Sequence, residues 1–62
     1  MKHKRVFRFD LIDLYEDYDG ELVFSSDDME EIKKAAKRHI EATDGECSLA
    51  VADWDNKTIK DL

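Results

Sequence analysis

Phe24-Ser25-Ser26-Asp27-Asp28-Met29, continuing as Glu30-Glu31-Ile32-Lys33-Lys34-Ala35-Ala36-Lys37-Arg38-His39-Ile40, is the stretch that decides the fold. It reads as a helix with its start signal attached. With Ser25 as N-cap, Asp28 falls at the third helical position and makes a capping-box-like pair, while Phe24 and Met29 take the two positions of a hydrophobic staple. Met29, Ile32, Ala36, Ile40 and Thr43, with Ala35 beside them, recur at intervals of three and four and make one buried stripe. Four acids (Asp27, Asp28, Glu30, Glu31) precede four bases (Lys33, Lys34, Lys37, Arg38), the order that a helix dipole favours. Glu30 and Lys34 are spaced for an (i, i+4) pair. Gly45 is the stop signal, and the expected helix covers residues 26–43.

On the C-terminal side, Cys47, Leu49 and Val51 alternate with Ser48, Ala50 and Ala52, which is a strand pattern. Asp55-Asn56 then suits a two-residue turn, because both tolerate a positive φ. Thr58-Ile59-Lys60 returns as a short edge strand whose lysines discourage edge-to-edge pairing. On the N-terminal side, Phe7, Phe9 and Leu11 alternate with Arg8 and Asp10, but Ile12 and Leu14 fall on the opposite parity. A bulge near Leu11-Ile12 repairs that slip. The competing reading is a helix through Leu11, Leu14, Tyr15 and Tyr18; the strand is preferred because aromatic and β-branched residues lead it. Asp19-Gly20 is then a turn, and residues 21–24 return as a strand. The expected class is α+β: a small antiparallel sheet in the order β-β-α-β-β with one helix packed on one face. A spatial order of second, first, third, fourth strand keeps every connection short.

Length and composition set the limits. Sixty-two residues make a single domain spanning 1–62, which buries only about 60 % of its unfolded surface. A dinucleotide fold or an interdomain cleft does not fit in this length. Cys47 is the only cysteine, so an internal disulfide is excluded and a reducing, cytoplasmic compartment is the expectation. Cys47, His3 and His39 lack the paired spacing of a zinc site. The basic N-terminus is not followed by an apolar signal segment, and no run reaches membrane-span length.

Charge is segregated along the chain. Residues 1–8 carry +4, residues 9–31 carry ten acids and no base, residues 32–38 carry +4 and residues 39–62 carry −4, for a net −6. Solvated faces and dipole matching account for part of this pattern. An acidic surface that steers the chain towards a basic partner is the functional reading.

Motifs for chemistry are sparse. Asp17-Tyr18-Asp19-Gly20 resembles the centre of an EF-hand loop, but Tyr15 and Ser26 stand where the anchoring acids belong. Cys47 and His39 are the available thiol–imidazole combination, and each has a packing explanation. Glycine-rich phosphate loops are absent. The expectation is therefore a chain that is not an enzyme and takes neither metal nor cofactor. Lys33, Lys34, Lys37 and Arg38 form a basic helical band that can dock phosphates, so a nucleic-acid-binding domain is the alternative function. The ten-acid block opposes it.

The favoured site is an acidic recognition surface comprising Asp13, Tyr15, Glu16, Asp17, Tyr18, Asp19 and Glu21. In an extended segment, alternate side chains lie about 6.5–7 Å apart on one face. Asp17, Asp19 and Glu21 keep that alternation, at a pitch close to the phosphate spacing of an extended nucleic-acid strand. A row of carboxylates at this pitch suits a basic groove built for nucleic acid. Tyr15 and Tyr18 add hot-spot contact area. Trp54 is either a lid over the alanine face or an anchor for a partner.

The layout also resembles small acidic phage and prophage proteins of the anti-CRISPR type, which inhibit host-defence enzymes. The features that carry the resemblance are Phe24-Ser25-Ser26-Asp27 opening a helix with Ile32-Lys33-Lys34-Ala35-Ala36-Lys37, then Gly45, then Ser48-Leu49-Ala50-Val51-Ala52-Asp53 and a hairpin. The resemblance implies a non-catalytic inhibitor and carries no binding residue across. The expected partner is a protein with a basic surface. Nucleic acid and membrane are disfavoured as partners, and a structural homodimer is a further alternative.

Overall fold

The computed structural model describes residues 7–15 and 20–62. Five elements follow in order: β1 (Phe9–Asp13), β2 (Glu21–Ser26), α1 (Met29–Ala42), β3 (Leu49–Asp53) and β4 (Thr58–Asp61). The strands form one antiparallel sheet in the order β2-β1-β3-β4. This is the α+β arrangement, and the strand order, expected from short connections. The helix reading of the N-terminal piece is overturned, since residues 9–13 are a strand.

Alternation explains the core. Phe9 and Leu11 of β1 and Leu49 and Val51 of β3 share the face that meets Ile32 and Ala36 of α1. Leu11 and Ile32 are completely enclosed, and full burial of a side chain of this size stabilises by about 1.5–3 kcal/mol. Asp10, Ile12, Ala50 and Ala52 lie on the opposite face. There Trp54 Nε1 donates to Asp10 Oδ2 at 2.9 Å.

The β1–β2 register shifts at the Leu11/Ile12 step, where the bulge was expected. The extra residue belongs to the other strand, however. Leu11 faces Phe24 and Ile12 faces Leu22, which leaves Val23 unmatched on β2. β1 itself stays regular, so Ile12 keeps its parity and points away from the helix. Val23 and Phe24 both border α1.

The helix starts later than its sequence signal suggested. Ser25 is a strand residue whose Oγ donates to Asp10 Oδ1 at 2.7 Å. Pairing of Ser26 with Phe9 holds this segment extended. The cap is Asp28, whose side chain accepts from Glu30 N at 3.0 Å. Ile40 is 44 % exposed, so the buried stripe is shorter than its periodicity implied. The β3–β4 connection also departs from the expected two-residue turn. It spans residues 54–57, with Lys57 rather than Asn56 at positive φ (54°). Asp53 organises it by accepting from Asp55 N, Asn56 N and Asn56 Nδ2.

Candidate functional site

The strand ends converge at one end of the sheet. Asp13 closes β1 and faces Glu21 at the start of β2 and Leu49 at the start of β3. Its Oδ1 accepts from Tyr15 N and from Ser48 N, both at 3.0 Å. Its Oδ2 lies 2.8 Å from His39 Nε2 in the last turn of α1. These contacts lower the Asp13 pKa, the Ser48 amide contributing most, then the His39 hydrogen bond and the Tyr15 amide. The carboxylate is only 12 % exposed. Asp13 therefore pins β1, the loop before β3 and α1 together, and does not face outward as a recognition residue.

Around this pin lies a cleft of about 450 Å³ lined by Asp13, Tyr15, Gly20, Glu21, His39, Thr43 and Glu46. Tyr15 is 56 % exposed. Glu21 and Glu46 are exposed, and neither makes an ion pair with a described residue. Thr43 caps α1, its Oγ1 donating to His39 O at 2.9 Å, which fixes the backbone that carries the imidazole.

The structure thus brings together Asp13, Tyr15 and Glu21 of the predicted acidic site. Glu16, Asp17, Tyr18 and Asp19 lie outside the described residues, as does the centre of the EF-hand-like sequence. Trp54 is not part of this end. Its amide donates to Arg8 O beyond the Phe9–Asp53 pair, at the opposite end of β1. Its ring is 37 % exposed, and its Nε1 donates to Asp10 Oδ2.

The basic band occupies the outer face of α1, where Lys33, Lys34, Lys37 and Arg38 are all exposed. Two of the four are partly matched on the same helix: Lys33 lies 3.7 Å from Glu30 and Lys34 lies 3.8 Å from Glu31. These are (i, i+3) pairs, whereas the sequence pointed to Glu30 with Lys34.

Sequence reasoning missed His39, Thr43 and Glu46 as cleft residues. His39 sits at the edge of the apolar stripe, which shows that it borders the core. Which strand end it meets depends on topology across 26 residues. Cys47 packs against the core cluster and is not among the residues lining the cleft. Among the described residues no three potential metal ligands cluster, and no helix is long and apolar enough to cross a membrane. Compared with known proteins, the chain matches no family model, no curated protein and no solved structure.

Proposed function

We propose that this chain is a non-catalytic protein-binding module that offers the acidic end of its sheet to a basic surface on a partner. One observation carries the reading: the exposed residues Glu21, Glu46 and Tyr15 line one cleft, and neither glutamate makes an ion pair with a described residue. The third cleft acid, Asp13, is consumed by internal hydrogen bonds and supplies rigidity. Charges so placed steer encounter and make association fast and salt-sensitive. The net charge of −6 acts in the same direction. The finer reading, that the partner binds nucleic acid and is inhibited, rests on the layout resemblance to phage host-defence inhibitors and on the acid spacing of the segment around Glu21.

The test is capture of partners from nuclease-treated bacterial lysate, at low and high salt, by wild type and by the Glu21→Lys/Glu46→Lys variant. A protein held at low salt, released at high salt and lost from the variant supports the module. A protein held equally by both forms refutes the acidic end as the contact. Retention on heparin that is lost in Lys33→Glu/Lys34→Glu moves the function to the basic face of α1.

A further inference from the structure

We propose that β4 pairs with β4 of a second copy of this chain, antiparallel and in a register centred on Ile59. The sheet has two edges. At the β2 edge the extra residue Val23 interrupts the ladder, the kind of irregularity that blunts an edge against pairing. At the β4 edge the ladder with β3 runs without a shift from Thr58 to Asp61, and every residue of the strand is exposed.

Hydrogen bonding selects what that edge offers. Leu62 N donates to Leu49 O at 3.0 Å, one step beyond the Asp61–Ala50 pair. Antiparallel pairs alternate between bonded and unbonded. Thr58, Lys60 and Leu62 therefore turn their backbone groups towards β3, and Ile59 and Asp61 turn theirs outward. In a two-fold pair centred on Ile59, each Ile59 exchanges both backbone bonds with its counterpart. Asp61 of each copy then lies beside Lys57 of the other, a turn residue at positive φ just outside the ladder.

Side chains then select the register. Centring on Ile59 sets the two isoleucines, each 67 % exposed in the single chain, against one another. It places Lys57 opposite Asp61 of the second copy at both ends, and Lys60 opposite Thr58. Centring one residue later sets Lys60 against Lys60, and like charges directly opposite are destabilising. Of the two lysines at this edge, Lys57 is thus matched by Asp61 of a second copy in this register, while Lys60 meets the neutral Thr58. A four-residue strand buries less than the roughly 1,200 Å² of a standard interface, so association is weak and depends on concentration.

The experiment is sedimentation equilibrium from about 10 μM to about 1 mM, a range that reports weak dimers. The average mass of the wild type is expected to rise from monomer towards dimer across it. Asp61→Lys is expected to weaken association about tenfold, because two attractive pairs become repulsive. Lys57→Asp combined with Asp61→Lys is expected to restore it; residue 57 has positive φ, which aspartate tolerates. Circular dichroism confirms that each variant is folded. A wild type that stays monomeric throughout, an Asp61→Lys protein that associates like wild type, or a double variant that is not restored overturns the proposal.

Discussion

Arg8 and Asp53 form a two-pronged pair that joins the entry to β1 with the exit from β3: Nε lies 3.0 Å from Oδ1 and Nη2 lies 3.2 Å from Oδ2. The guanidinium carbon also sits 4.8 Å from the centre of the Phe9 ring. The pair therefore closes over the rim of the core, and lysine cannot reproduce its fork. The Arg8 hydrogen bond is the main reason that the Asp53 pKa falls from 3.8 to about 2. Partial burial opposes this shift, and hydrogen bonds from Asn56 reinforce it. A carboxylate whose folded value lies below its unfolded value stabilises the fold fully above the unfolded value. That contribution is lost as pH falls through the folded one. The thermal midpoint is expected to drop between about pH 4 and pH 2, with Asp13 acting in the same direction. Arg8→Gln should lower the midpoint at neutral pH and flatten the acid limb, as read by circular dichroism melts across pH.

Asp13 accepts two backbone amides and meets an imidazole, so its removal strands more than one partner. Asp13→Ala is expected to destabilise the fold by about 1–2 kcal/mol, because two exposed backbone hydrogen bonds and one half-buried contact to His39 are lost together. His39→Ala removes one contact of the three and should cost about 1 kcal/mol. Urea titration of both variants measures the difference. Equal losses would mean that the Tyr15 and Ser48 amides contribute nothing.

The cap assignment separates two neighbouring polar residues. Asp28→Ala is expected to cost about 0.5–2 kcal/mol and to fray the first turn of α1, because Glu30 N loses its acceptor. Ser25→Ala deletes the bond to Asp10 and should leave helicity intact. Amide exchange at Glu30 and Glu31 distinguishes the two variants.

Gly20 and Gly45 have the same backbone sign, with φ of 83° and 81°, but different surroundings. A Cβ at Gly20 collides with Ile12 Cγ2 and lies 3.0 Å from Leu14 Cδ2, whereas a Cβ at Gly45 meets nothing within 4 Å. Gly45→Ala should cost about 1–2 kcal/mol, the backbone penalty alone. Gly20→Ala should cost clearly more, since the apolar packing beside β1 must shift as well. Thermal melts of the two proteins give the comparison directly.

Much of the fold was legible because period and punctuation agree. The α1 stripe, the alternation through Leu49 and Val51 and the slip at Leu11/Ile12 each report a local constraint that survives folding. The helix, by contrast, is ended by Asp44, at φ 55° directly after the C-cap Thr43, one residue before Gly45. The errors lie where a long-range partner decides. Ser25 has the chemistry of a cap but is claimed by β1. The slip is absorbed by Val23, on a strand that sequence parity alone could not implicate. The candidate site was legible only as charge. Glu21 and Tyr15 could be named from the acidic block, but Glu46 and His39 reach the same cleft through the β1–β3 and α1–β1 contacts. Asp13 looked like any other acid until its three hydrogen-bond partners were assembled around it.

The central seam of the sheet joins β1 to β3, the pairing that closes the longest stretch of chain. Closing a loop of that length carries an entropic cost before any contact is gained, and topology of this kind slows folding relative to helical chains of equal size. The C-terminal hairpin, two strands alone, is marginal in water without the face that β1 and α1 supply. Neither half of the chain thus holds a nucleus that the other can simply dock onto. Native-state hydrogen exchange should accordingly find β1 and β3 protected to the same level, that of global unfolding, with protection falling away across β4.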